Sequence, residues 1–359
     1  MNAPENSPSI MALADLATPM AVRVAATLDL AELAGDEGAT VAELAARSGT
    51  FVPALEPLLD HLVTVDVFEF DRQSGRYRTT RLGDQMRADA PEGFKILLDI
   101  KTAGGRAELA FVELLGTIIT GAPAYPQRYG RSFWADLDAE PALRESFDAQ
   151  MTWRFRTLAG QIAERFDWSR FTHILDVGGG DGTLLSAILR AHPGVRGQLL
   201  DLAPTAARAV ETLTAAGLTD RATVISGNFF EPLPEGADAY ILSDILHDWD
   251  DTHARAILTE CARAAKPNGA VVVLEPIRGA GANTAINLFM LMCFAGRERS
   301  IDELTRMAAD CGLTCRAVVQ AADGRTALEF QPTGYLERTP RPVDATPESA
   351  AGGGGLVAE

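Results

Sequence analysis

This sequence predicts an α/β fold. A Rossmann-like, mostly parallel sheet with an antiparallel final hairpin stands behind a mostly helical, winged-helix-like module. Three observations carry that expectation. The apolar run Ile174–Val177 reads as a buried strand, enters glycines at 178, 180 and 182, and continues into a helix-periodic run from Leu184 to Leu189. A second strand, Gln198–Leu200, ends on Asp201, about 20 residues beyond the glycines, where a carboxylate suits a ribose hydroxyl pair. Strand and helix patterns then alternate from about residue 170 to 335, which implies right-handed crossovers between parallel strands.

The elements follow in order. Helical patterns occupy Ile10–Leu33, Val41–Ser48 and Pro53–Val65, and Val67–Phe70 and Arg76–Thr79 flank Gln73-Ser74-Gly75 as a hairpin. Three helices and a hairpin form a winged-helix pattern. Its recognition helix would carry Glu56, Asp60 and His61, and no Lys or Arg lies between Arg47 and Arg72, so it is a poor groove reader. The alternative is a dimerisation module, with Ile10, Leu13, Leu16, Met20 and Val24 at helical spacing. Residues 1–100 are assigned to it.

Residues 101–168 read as a helical linker and substrate roof. Phe147, Met151 and Phe155 are spaced i, i+4, i+8 and share a face, with Trp134 nearby; core packing is the competing reading. Residues 169–335 form the Rossmann-like domain, with strands at Ile174–Val177, Gln198–Asp201, Thr223–Ser226, Ala239–Ser243 and Ala270–Glu275. Thr314–Val319 and Thr326–Phe330 bracket Ala322-Asp323-Gly324-Arg325 as a hairpin that adds one antiparallel strand. Residues 336–359, with Gly352–Gly355, read as a disordered tail.

Composition narrows the partners. Over 359 residues the formal net charge is −17, which argues against nucleic acid. No apolar run is expected to span a membrane, and Met1–Pro8 has no signal-peptide pattern. Cys261, Cys293, Cys311 and Cys315 lack zinc-type pairing, so reduced thiols in a cytoplasmic protein are expected.

The glycine spacing selects the ligand. A dinucleotide loop wants G-x-G-x-x-G, whereas here Thr183 stands at the third glycine and Gly182 completes G-x-G-x-G. The loop resembles the S-adenosylmethionine (SAM) loop of methyltransferases. The remaining strand ends carry Gly227-Asn228-Phe229-Phe230, then Ser243 followed by Leu246-His247-Asp248-Trp249-Asp250-Asp251, then Glu275. With Gly296-Arg297-Glu298-Arg299-Ser300, nearly the whole chain resembles the SAM-dependent O-methyltransferases of plant phenolic and bacterial polyketide-antibiotic pathways, the bacterial members most closely.

The resemblance implies a homodimer, metal-free methylation of a phenolic or quinonoid hydroxyl on a small aromatic substrate, and specific roles. His247 matches the general base, flanked by Glu275 and Glu298. Gly178, Gly180 and Asp201 match the cofactor loop and ribose acid, Asn228 and Phe229 the adenine-contacting pair, and Ser243 a position lining the cofactor that is Lys in plant enzymes. Trp134, Phe147, Met151, Phe155, Asp248, Asn287 and Met290 are carried to the acceptor side. Asn228 replaces the usual Asp, though its amide oxygen still accepts. Asn287 stands where many bacterial members carry Asp, which puts a carboxylate contact there in doubt.

The chemistry suits these residues. Methyl transfer from a sulfonium is an in-line displacement, largely a matter of positioning. A neutral imidazole with pKa near 6.5, oriented by a carboxylate, can take the phenolic proton. Each residue has a blander reading. His247 could cap the next helix, Glu275 could be a solvated strand-end acid, and Glu298 could form a surface ion pair with its arginine neighbours. Asp248, Asp250 and Asp251 could bind Mg²⁺, or the last two could simply favour a helix N-terminus; no metal is expected. Two other functions stay open: a SAM-binding relative that hydroxylates or decarboxylates, and a winged-helix regulator sensing SAM.

Overall fold

Seven strands form the main sheet, in the order β5-β4-β3-β6-β7-β9-β8. The computed structural model describes residues 9–265, 269–280 and 284–333; the expected tail at 336–359 and the segment Met1–Pro8 lie outside the described residues. The strands are β3 (His173–Val177), β4 (Arg196–Asp201), β5 (Ala222–Ser226), β6 (Ala239–Ser243), β7 (Ala270–Glu275), β8 (Leu313–Ala322) and β9 (Arg325–Pro332). The first five are parallel, β9 runs antiparallel to β7, and β8 pairs antiparallel with β9. The chain steps outward from β3 to β5 and returns to the other side of β3 at β6. That reversal opens a crevice beyond the carboxyl ends of β3 and β6.

Period-two alternation gives the sheet two apolar faces. Ile174, Leu199, Ile241 and Val272 pack against α11 (Pro141–Arg165), α12 (Thr183–Ala191) and α13 (Ala203–Ala215). Leu175, Tyr240, Leu242 and Val273 pack against α14 (Asp251–Ala264) and α16 (Ile301–Asp310). All six residues of β7 are buried, as expected of a strand covered on both faces.

The first module holds α1 (Ile10–Leu13), α2 (Ala17–Thr27), α3 (Leu30–Ala34), α4 (Val41–Ser48), α5 (Val52–Thr64) and the hairpin β1 (Phe68–Asp71) with β2 (Arg76–Thr79). The expected single helix Ile10–Leu33 is three helices. Asp15, one residue ahead of the Leu16 N-cap, accepts from Ala17 N and Thr18 N where the chain restarts as α2, and Asp29 turns left-handed at φ 55°. The expectation of no membrane-length run also needs correction. Ile10–Thr27 has 18 residues at a mean hydropathy of 1.3, enough to span by length and composition, but it folds as two helices broken at 14–16. Ile10, Met11, Leu13 and Leu16 lie exposed on it.

Between these parts run α6 (Lys95–Leu98), α7 (Ala103–Glu108), α8 (Leu114–Thr120), α9 (Ala124–Tyr129) and α10 (Phe133–Ala139), and α15 (Thr284–Phe294) packs among them. The 25-residue α11 joins both halves. Its Trp153 Nε1 donates to Glu92 O at 2.8 Å, and its Ala159, Ile162 and Ala163 sit in the sheet core. Trp168, just after α11, is fully buried there and donates to Ile162 O at 3.0 Å. Trp168→Ala is expected to destabilise the fold by about 3–5 kcal/mol in urea titration, and a loss below about 1 kcal/mol would contradict its place in this core.

Candidate active site

The floor of the crevice is the turn after β3. Gly178, Gly180 and Gly182 all have positive φ, at 71°, 61° and 81°, and a Cβ on Gly178 would fall 2.6 Å from Ile245 Cδ1. Asp201, at the end of β4, accepts from Gly180 N at 2.8 Å and from Leu202 N at 2.7 Å, so its carboxylate also holds the loop in shape. Burial pushes its pKa up to about 6. Asp176, in β3, is fully buried with no partner for either carboxylate oxygen, and burial pushes it up to about 7.

Above this floor lies about 1350 Å³ of empty space that opens to solvent. Gly178, Gly180, Asp201, Asn228, Phe229 and Ser243 all line it, as do Trp134, Phe147, Met151, Phe155 and Asp248. Helical spacing puts Phe147, Met151 and Phe155 on the face of α11 that looks into the cavity. Trp134 stacks on Trp249 with centroids 6.2 Å apart, and Phe230 meets Trp249 edge-on at 4.8 Å. Asn287 and Met290 do not line this space. Met290 is buried, and Asn287 Oδ1 accepts from Glu298 N at 2.9 Å. The polar wall is acidic, with seven Asp side chains against one cation, Arg144.

Beside the cavity, the chain turns sharply after β6. The register pairs Ser243 with Leu274, so Glu275 lies alongside the next three residues. Its Oε1 accepts from Ile245 N at 3.1 Å and Leu246 N at 2.7 Å, while Oε2 lies 2.7 Å from His247 Nδ1. This last contact is a close ionic one, too oblique for a directed hydrogen bond. His247 Nε2 lies 3.3 Å from Asp248 Oδ1. His247, Glu275 and Glu298 are all buried and stand behind the cavity wall rather than in it. Glu275 is therefore no solvated strand-end acid.

The loop 296–300 clamps the same turn. A Cβ on Gly296 would fall 2.0 Å from His247 O, so only glycine allows this approach. Arg299, 2 % exposed, donates to Leu246 O at 2.7 Å, Trp249 O at 2.8 Å and Asp251 Oδ1 at 2.8 Å. Arg297 pairs with Glu303 and Asp251, so neither arginine neighbour takes Glu298 into a surface ion pair. Glu298 Oε1 is buried without a partner, and burial raises its pKa. Asp250 caps α14 through Thr252 N and His253 N.

Charge sets the state of His247. Burial works against the imidazolium, but the surrounding carboxylates, Glu275 first, more than offset it and raise the pKa to about 9. The expected value near 6.5 is overturned by an acidic enclosure that spacing could not reveal. Burial likewise raises Asp248 to about 7, against the pull of His247.

Sequence reasoning passed over Asp176, Arg144, Asp244 and Arg325. Asp244, left-handed at φ 53°, lines the cavity, takes a bidentate pair from Arg325 at 2.7 and 2.9 Å and faces Arg154 at 3.5 Å. Asp176 and Asp244 could have been found by their places at strand carboxyl ends; Arg325, 81 residues from its partner, carries no local signal. Asp244, His247 and Glu275 offer atoms within 4.8 Å of one another, close enough for a metal ion. Asp244 already faces the Arg325 guanidinium, and Glu275 already accepts from two backbone N–H groups and faces His247.

The chain is similar to known proteins over most of its length. The profile of a family described as "O-methyltransferase domain" matches residues 111–314, and that of "O-methyltransferase dimerisation domain" matches residues 11–88. The chain is 48% identical over 309 residues to 2,7-dihydroxy-5-methyl-1-naphthoate 7-O-methyltransferase of Streptomyces carzinostaticus, covering 86% of this chain and 93% of that one. It is 42% identical over 348 residues to aclacinomycin 10-hydroxylase RdmB of Streptomyces purpurascens, covering 94% and 92%. Among solved structures, it superposes on the O-methyltransferase NcsB1 of neocarzinostatin biosynthesis, in complex with SAM and 2-hydroxy-5-methyl naphthoic acid. The TM-score is 0.86 at 46% identity, covering 91% and 99%.

Arg299 ties the 296–300 loop to three points of the His247 turn. Arg299→Ala is expected to cost about 1.5–3 kcal/mol in chemical denaturation, because it removes the donor to the Leu246 and Trp249 carbonyls and one of the two arginines on Asp251. A neutral outcome would show that the turn holds itself.

Proposed function

The chain belongs to the O-methyltransferase family, and from that premise we propose that it methylates a hydroxyl on a fused-ring aromatic acceptor, with His247 as the general base. It is a SAM-dependent enzyme of aromatic-antibiotic tailoring. The observation that carries the proposal is the meeting of two things at one crevice: a glycine-floored, acidic cleft and a buried His247–Glu275 pair just behind its wall.

The residues fit SAM. Seven Asp side chains favour a ligand bearing positive charge, and the partnerless Asp176 oxygens await a donor. In this reading Asp201 takes the ribose hydroxyls, Asn228 and Phe229 the adenine, Ser243 the cofactor edge and Arg144 a carboxylate, all of them lining the cavity. When bound, SAM supplies a methyl group made electrophilic by its sulfonium. Trp134, Phe147, Met151 and Phe155 form an apolar wall for a flat acceptor, and the acceptor classes named for the relatives are of that kind. Asn287 acts indirectly in this reading, by fixing the Glu298 backbone, and Met290 packs behind. Glu275 orients His247 and stabilises its imidazolium; Glu298 adds a nearby acid.

We assign residues 1–100 to dimerisation, 101–168 to the roof and 169–335 to catalysis. The exposed Ile10, Met11, Leu13 and Leu16 would be buried in a homodimer. No metal is assigned. The free cysteines suit a cytoplasmic enzyme. A second reading, hydroxylation on the same scaffold, is kept alive by the 42% identical hydroxylase.

The test is turnover of SAM carrying a deuterated methyl group with a panel of hydroxynaphthoic acids, followed by mass spectrometry. Labelled methyl ether is the expected product; an oxygenated product without the label would favour hydroxylation. His247→Ala should slow turnover on the order of 10²–10⁴-fold and His247→Gln nearly as much, with SAM affinity kept. Only the neutral imidazole accepts a proton, so kcat/KM should rise with pH toward about 9 in wild type, and that limb should vanish in both variants.

A further inference from the structure

The roof helix α11 carries a cation that no step of the reaction has yet used. Arg154 follows Met151 by three residues and precedes Phe155 by one, and both of those line the cavity. Helical spacing sets it beside the face they present. Its Nη2 is buried with no hydrogen-bond partner, and the acid it faces, Asp244 Oδ2, is 3.5 Å away. That acid is already claimed, because Arg325 donates to both its oxygens at 2.7 and 2.9 Å. The Arg154 side chain is still 20 % exposed, so it is not sealed from a ligand.

We propose that Arg154 determines acceptor specificity, by binding a carboxylate that the acceptor carries next to the hydroxyl to be methylated. The substrate class is then an ortho-hydroxy aromatic acid. This rests on the reading of the chain as a methyltransferase with His247 as base. A guanidinium suits the task, since its planar fork of N–H donors matches the two oxygens of a carboxylate. The place is right as well. Arg154 and His247 both act by charge on Asp248 and on Glu298, so cation and base share one neighbourhood. An acid and a hydroxyl on adjacent ring carbons can reach both.

The pairing also serves the reaction. An ortho carboxylate accepts the hydroxyl proton in an internal hydrogen bond and so withholds it from an outside base. A guanidinium on that carboxylate competes for the same lone pairs and leaves the O–H to His247. Charge balance needs Arg154 too. The one cation in the cavity wall, Arg144, donates to Asp138 at 2.6 Å, and Arg325 gives its donors to Asp244 and Gly324 O. Without Arg154, an acidic acceptor would meet Asp244, Asp248 and Glu298 with neither of those cations free to offset it.

The experiment titrates the enzyme, loaded with S-adenosylhomocysteine, with 1-hydroxy-2-naphthoic acid, its primary amide and 1-naphthol by calorimetry, and assays methyl transfer to each. Wild type should bind the acid about 10-fold or more tighter than the other two. Arg154→Gln should weaken the acid about 10–100-fold and leave the amide and 1-naphthol nearly unmoved, with SAM affinity kept. Arg154→Lys keeps the charge but not the fork, and should fall between for the acid. The ranking of the three ligands on wild type needs no variant to fold. If the acid binds wild type no better than 1-naphthol, the proposal is wrong. Equal weakening of all three ligands in Arg154→Gln, or a fall in SAM affinity, would also overturn it, since Arg154 would then be shaping the pocket. Labelled methyl transfer to 1-naphthol in either case would leave the methyltransferase reading standing. If no ligand is methylated while Arg154→Gln still loses the acid alone, that reading fails and the carboxylate site stands.

Discussion

One carboxylate, that of Glu275, is the constraint on which the rest of this site depends. Parallel pairing of β6 with β7 sets it beside the turn that follows β6, and burial denies it water. One oxygen satisfies two backbone N–H groups of the turn and the other faces His247. The same group thus sets where the imidazole sits and what charge it carries. A neutral amide at 275 could accept from the backbone but could not stabilise the imidazolium. Geometry and electrostatics here share one cause.

The wider enclosure is a balance of buried charge. Asp244, Asp248, Glu275 and Glu298 gather around His247, Arg325 and Arg154. Arg325 reaches in from the final hairpin to grip Asp244, while Asp323 of the same hairpin holds Arg165 and Gln161 of α11. The last two strands therefore do more than widen the sheet. They brace the helix that roofs the cavity and neutralise one acid at its edge. Breaking such a pair by removing one partner costs far more than the pair contributes, which makes the hairpin inseparable from the site.

Local chemistry was legible in the sequence wherever the signal was short-range. The glycines at 178, 180 and 182, Asp201 and the alternating strands imposed their structure through backbone freedom and hydrophobic period, and the cavity formed on them as expected. His247, Glu275 and Glu298 did converge, but their burial behind the wall was not readable, because it depends on how Gly296 and Arg299 fold over the turn. The titration of His247 was misread for the same reason, since it is raised by Glu275 of β7 as well as by Asp244 and Asp248 of its own turn. Asn287 and Met290 were carried over by position alone, and the side chains point to packing and backbone support instead. In the first module, Asp15 and Asp29 broke an apolar run whose periodicity alone favoured one long helix.

The central claim is that buried carboxylates, Glu275 foremost, hold His247 as an imidazolium at neutral pH in the cofactor-free enzyme. An NMR titration of the ring-labelled histidines reads this directly, with His247 assigned by its loss in a substituted variant. The account predicts a His247 midpoint near 9 that falls in Glu275→Gln. A midpoint at or below about 6.5, the ordinary imidazole value, unmoved by that substitution, would contradict it.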